Sequence, residues 1–259
     1  MDLGITGERA LILGGTKGLG LSAAKSLAQE GVKIALVGWD PAIGSATAQT
    51  VPGAVFLEGD LSDKIFRQSL PDVATKALGG AISILITNAG GPPTGEFHET
   101  PLSQWRDAFE LNLFGHIEIA QLLVPGMTKR GFGRVVNITS FVAKEPYPNM
   151  SLSNSVRVAL HGAMASLSKE VAGQGVTINN VMPGVMDTGA LQRVIKAKMA
   201  KSGVDETTVR ENLAASVPMG RLGIADDFGP VCAFLCSRLA SYITGQSIAV
   251  DGGLIHGMS

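Results

Sequence analysis

A chain of 259 residues with a formal net charge of −1 at pH 7 and 17% charged residues suits one large globular domain. It lacks the electrostatic footprint of a nucleic-acid or membrane-surface binder. Its apolar runs, such as Ile82-Ser83-Ile84-Leu85-Ile86, stop far short of the roughly 18 residues that a membrane span needs.

In chain order, apolar runs at Ala10–Leu13, Ile34–Val37, Ala54–Leu57, Ile82–Thr87, Val135–Thr139, Val176–Val181 and Ile248–Val250 alternate with longer segments of helical period. Strands that are apolar almost throughout are buried on both faces. Alternation with helices implies right-handed crossovers, so the expected architecture is α/β: a single domain, 1–259, with a Rossmann-type doubly wound parallel sheet of about seven strands. The polar, helix-prone stretch 188–216 interrupts this rhythm and reads either as a substrate lid or as a surface excursion. Cys232 and Cys236, four apart in a helical segment, read as buried thiols rather than a disulfide or metal site. With a start, Met1-Asp2-Leu3-Gly4, that lacks the features of a secretory signal, a cytoplasmic protein is expected. No His, Cys, Asp and Glu cluster has metal-ligand spacing, so no metal is expected.

The first strand runs into Gly14-Gly15-Thr16-Lys17-Gly18-Leu19-Gly20 and then into a helix. Gly14 permits the sharp turn, Gly18 lets backbone approach a pyrophosphate, and Gly20 allows close helix-to-strand packing beneath it. Further along stand Thr87-Asn88-Ala89-Gly90, Asn112, Ser140 and Pro183-Gly184-Val185-Met186-Asp187-Thr188. In order and spacing these motifs resemble the short-chain dehydrogenase/reductase family, and the resemblance to its 3-oxoacyl-(acyl carrier protein) reductase-like members extends from Gly7 to Gly253.

The resemblance implies a dinucleotide site. Asp60 and Leu61 would contact adenine, Asn88-Ala89-Gly90 would border the adenosine ribose, and Pro183-Gly184 with Val185 and Thr188 would hold the nicotinamide carboxamide. At the end of the second strand an acid would select NAD(H) by bonding the ribose, but here stands Gly38, followed by Trp39 and Asp40. Lys17 is placed to pair with a 2′-phosphate and Trp39 to cover the adenine, so NADP(H) is expected over NAD(H). A one-residue shift that brought Asp40 to the ribose would reverse this preference. Asp60 also reads as a cap for a helix starting near Ser62.

At the catalytic end the resemblance implies that Asn112 holds a water and that Ser140 bonds the substrate carbonyl. The family's Tyr and Lys fall on Ser153 and Arg157. A serine hydroxyl is far less acidic than a phenol, and an arginine does not give up its proton, so the usual proton relay is missing. Arg157 retains a cation for the nicotinamide ribose, and Tyr147, on the loop that lines the family's pocket, is a candidate acid. Tyr242 reads as structural, and His116 and His161 as packing or interface residues. The leading expectation is an atypical NADP(H)-dependent oxidoreductase acting on a small carbonyl or alcohol, as a homotetramer or homodimer. The alternatives are a lyase or hydrolase on the same scaffold, or a dinucleotide sensor without turnover.

Overall fold

The computed structural model describes residues 1–257, without the side chains of Ala197 and Lys201. Seven strands, β1 (Arg9–Ile12), β2 (Lys33–Gly38), β3 (Val55–Glu58), β4 (Ile84–Thr87), β5 (Gly133–Ile138), β6 (Val176–Pro183) and β7 (Ser247–Val250), form one sheet in the order β3-β2-β1-β4-β5-β6-β7. All six pairings are parallel. The expected Rossmann-type sheet is therefore present, with each strand within two residues of its apolar run. The chain winds outward from β1 to β3 and then returns to β4, so the loops after β1 and β4 part and open a crevice at the carboxyl edge.

Side chains alternate between the faces of each strand. Ala10 and Ile12 enter one core layer with Phe228, while Leu11 and Leu13 enter the other with Ile119 and Leu160. The first layer is closed by helices α1 (Gly18–Gln29) and, near the C-terminus, α9 (Ala225–Cys236). A side chain at Gly229 would strike Ser22, whose hydroxyl donates to Ala225 O at 2.5 Å across the two helices. Cys232 and Cys236 lie buried in this layer as free thiols.

Helix α2 (Pro41–Thr50) follows β2. The opposite layer is covered by α3 (Lys64–Leu78), α5 (Gly115–Arg130) and α6 (Ser151–Val171). Between α4 (Leu102–Phe109) and α5 the backbone passes through a π-helical turn, Glu110–Phe114. Arg67, 2% exposed, locks this turn: its Nη2 meets Glu110 at 2.5 Å, its Nε meets Glu118 at 2.6 Å, and its Nη1 donates to Leu61 O at 2.8 Å.

The stretch 188–216 contains two helices, α7 (Gly189–Ser202) and α8 (Glu206–Ala215). Leu191, Ile195 and Val209 give the pair a small core that also packs on Val185 and Leu222. No helix among the described residues is long and apolar enough to cross a membrane.

Candidate active site

Backbone geometry builds the cofactor end of the crevice. Gly14 has φ +55° and Gly18 φ +58°, values that strain any other L-residue. The Asn88 side chain donates to Gly14 O at 3.0 Å, tying the loop after β4 to the loop after β1. A Cβ at Gly14 would lie 2.8 Å from Asn88 Nδ2, and one at Gly20 would overlap Gly14 O. These three positions leave the amides at the start of α1 open to a pyrophosphate, so the residues present fit a dinucleotide. Thr16 is buried beside Gly38, where an added Cβ would approach Thr16 Cγ2 to 2.8 Å.

Gly38 ends β2 without a carboxylate, and the Asp40 side chain accepts from Ile43 N at 3.0 Å as the cap of α2. This bond ties Asp40 to helix capping. Exposed Lys17 lies 5.9 Å from the centroid of the exposed Trp39 ring. Asp60 accepts from Ser62 N at 2.8 Å, but the helix beyond starts at Lys64, two residues later than expected, and its cap is Asp63 instead of Asp60. Leu61 is buried, while Ala89 and Gly90 continue the loop after β4.

On the far side of the crevice, Gly184 N donates to Val250 O at 3.0 Å, and a Cβ at Gly184 would collide with Asp251. Val185 O accepts from Gly223 N at 3.0 Å, and Thr188 opens α7 within van der Waals reach of a Cβ at Gly18. The Pro183-to-Thr188 turn thus faces the glycine loop. Arg210 of α8 forks onto Asp187 at 3.1 and 3.0 Å, latching the helical pair to this turn. A cavity of about 580 Å³ runs from Val185 and Met186 to Val217, Met219 and Asp251, and neither Ser140 nor Ser153 lines it.

The catalytic end is built from side chains. Ser140, half-buried after β5, accepts from Val142 N at 3.4 Å. Ser153 and Arg157 lie one turn apart in α6, 7% and 5% exposed. Arg157 donates from Nη1 to Ile138 O at 3.2 Å, and burial lowers its pKa to about 10. It therefore stays charged at neutral pH. Asn112 is buried in the π turn. Tyr147 is 47% exposed, its ring edge-on to Phe141 with centroids 6.2 Å apart, and Asn154 Nδ2 donates to its carbonyl at 3.1 Å.

The sequence matches the family described as Enoyl-(Acyl carrier protein) reductase over residues 14–255. The chain belongs to the short-chain dehydrogenase/reductase family. It is 31% identical over 258 residues to the 3-oxoacyl-(acyl-carrier-protein) reductase of Haemophilus influenzae, covering 96% of this chain and 98% of that protein. It is 31% identical over 252 residues to dehydrogenase/reductase SDR family member 4 of Bos taurus, covering 94% of this chain and 86% of that one. The L-sorbose reductase of Gluconobacter frateurii, solved in complex with NADPH and L-sorbose, aligns over 100% of both chains with a TM-score of 0.93 and 27% identity.

This member of the short-chain family also carries polar structure that its motifs did not reveal. Thr87 donates to Asn137 at 2.8 Å, Asn137 to Asn180 at 3.0 Å, and Asn180 to the Ser247 hydroxyl at 3.1 Å. His161 then bridges Ser247, 3.2 Å from Nδ1, to Thr139, 2.9 Å from Nε2. The ladder spans β4 to β7 and ends beside Ser140. Burial first, then Arg157 and Lys144, lower the His161 pKa to about 4. The only sequence signal was polar residues inside otherwise apolar strands. Arg67 was likewise missed; its signal was an arginine on the inward face of an amphipathic helix.

Two further places bear on the sequence reading. Tyr242 lies between α9 and β7, at the helix-to-strand corner, and is fully exposed in this chain. Glu96, His98 and Glu99, which carry no recognised ligand spacing, bring their ligand atoms within 4.8 Å of one another on an exposed turn. Nothing further at that turn points to an ion.

Proposed function

We propose that this chain is an NADP(H)-dependent reductase of a small carbonyl compound, working without a tyrosine at the proton-donor position. The observation that carries the reading is the strand end at Gly38: it lacks a carboxylate, Asp40 is occupied as a cap, and Lys17 and Trp39 stand exposed beside the glycine loop. The similarity along the whole chain to an NADPH-complexed reductase supports the same choice.

When bound, NADPH supplies the hydride. Gly14, Gly18, Leu19 and Gly20 present backbone to the pyrophosphate, and Thr16 supports them from below. Asp60 and Leu61 flank the adenine, Asn88, Ala89 and Gly90 border its ribose, and Val185 with Thr188 holds the carboxamide beyond Pro183-Gly184. Ser140 and Ser153 donate hydrogen bonds to the carbonyl oxygen, where charge develops. Arg157 holds the nicotinamide ribose as a fixed cation. The proton comes from water near Asn112 or from Tyr147. The α7–α8 pair closes over the substrate, and exposed Phe114, Leu122 and Val158 suit a homodimer or homotetramer interface in the cytoplasm.

The loss of the family's Tyr and Lys favours one second reading, a dinucleotide sensor without turnover. Fluorescence titration with NADPH and NADH, run beside NADPH oxidation over a panel of aldehydes, ketones and keto acids, separates the two. Tight NADPH binding with oxidation supports the reductase. Tight binding without oxidation leaves the sensor, and absence of binding removes both.

A further inference from the structure

Six buried side-chain polar atoms lack a hydrogen-bond partner among the described residues, and five of them belong to one neighbourhood. They are both amide atoms of Asn112, both ring nitrogens of His116 and Nε of Arg157. Asn112 lies in the π turn, His116 one turn later in α5, and Arg157 in α6, which packs against that turn. His116 is 0% exposed and Asn112 1%. A buried polar atom left unpaired is costly to the folded state. Five in one neighbourhood call for a partner that satisfies them, and enclosed water is the usual one. A π turn opens the helical hydrogen-bond ladder, and water commonly enters there.

Water at Asn112 is what the family resemblance implies; we propose that His116, unpaired and buried in the same neighbourhood as Asn112 and Arg157, is the positioning residue that orders this water as the proton source for Ser153. The proton-source role rests on the reductase reading; the water site does not. Burial first, and Arg157 second, lower the His116 pKa to about 3. The ring is therefore neutral, with one donor and one acceptor nitrogen, and it can hold a water on each side. Hydride arriving at the carbonyl carbon breaks the C=O π bond and puts the electron pair on oxygen. That oxygen takes the Ser153 proton while Ser153 takes one from the water, which is replenished from solvent. One proton is consumed per carbonyl reduced, and no serine alkoxide accumulates.

A crystal structure of the whole protein at a resolution that shows ordered water tests the site directly. Water within hydrogen-bond distance of a His116 nitrogen and Arg157 Nε is expected, and direct contact of these side chains without water overturns the proposal. Kinetics test the role. His116→Leu should lower kcat about a hundredfold, the low end for a positioned proton-transfer group, with KM and the NADPH Kd within about twofold. His116→Gln, which keeps a donor and an acceptor, should restore most of kcat. An unchanged kcat, an equal loss of NADPH binding, or no rescue by Gln overturns the role. If the wild-type chain oxidises no NADPH with any carbonyl, the reductase reading and the proton role fall together, and the electron density alone decides the water site.

Discussion

The two ends of the crevice are built from different materials. At the cofactor end, the proposed site depends on atoms that are absent: the missing Cβ atoms of Gly14 and Gly20 and the missing carboxylate at Gly38. At the catalytic end the proposed reading rests on side-chain groups, Ser140, Ser153, Arg157 and Asn112, most of them carried on helical elements that would accept many residues. A backbone-built site cannot drift without losing its ligand. A side-chain-built site can exchange its chemistry while fold and family persist. On the proposed reading, this chain keeps the first kind and rewrites the second.

The sharpest test of that contrast is Gly20→Val, whose side chain would drive into Gly14 O. NADPH affinity should fall more than about a hundredfold by fluorescence titration, since that overlap must displace backbone. Retained binding would show that the glycine loop is not the cofactor cradle. At the other end, Ser153→Tyr with Arg157→Lys should fold and raise carbonyl turnover about tenfold or more in the NADPH oxidation assay, because it restores an acidic phenol beside a cation. A loss of turnover would mean that the rewritten site has its own geometry.

Between the two ends, the neutral histidines make stability depend on acid. The folded chain holds His116 near 3 and His161 near 4, against 6.5 for a free imidazole. The unfolded chain therefore binds more protons below about pH 6.5, and stability, full above that value, declines as pH falls towards 4 and then 3. Urea unfolding should lose on the order of several kcal/mol between pH 7 and pH 4. His161→Gln should flatten part of that slope; a flat wild-type profile would mean that these rings are not held neutral.

Lys17→Ala should weaken NADPH about tenfold while leaving NADH nearly unchanged, the discrimination expected of one point charge on a phosphate. Equal losses for both cofactors would move the selectivity elsewhere. The smallest effect belongs to Arg210→Ala, which removes an exposed latch between α8 and Asp187. Substrate KM should rise no more than about threefold with kcat held, since exposed ion pairs are weak.

The sheet was legible in the sequence because doubly buried strands are nearly pure Ile, Val, Leu and Ala. The glycine loop was legible because only glycine satisfies its geometry. Asp63 was hidden behind Asp60, since either acid suits a cap and only the backbone chooses between them. The π turn around Asn112 leaves no compositional mark. His116 and His161 looked alike as lone histidines on helices, yet one meets strand hydroxyls and the other meets no partner among the described residues. That difference arises from packing between elements far apart in the chain.

The polar ladder from Thr87 to His161 bears on how the sheet finds its alignment. Strands with apolar residues on both faces carry little record of register, because sliding by one residue exchanges one apolar side chain for another. Asn137 and Asn180 are opposite each other in the β5–β6 pairing, and Asn180 is opposite Ser247 in the β6–β7 pairing. A slip at either seam would strand buried amides with nothing to bond. These few polar groups therefore act as a key during folding: they reject misaligned sheets that the greasy residues alone would accept, and they bring Ser140, Ser153 and Arg157 to the same edge each time the chain folds.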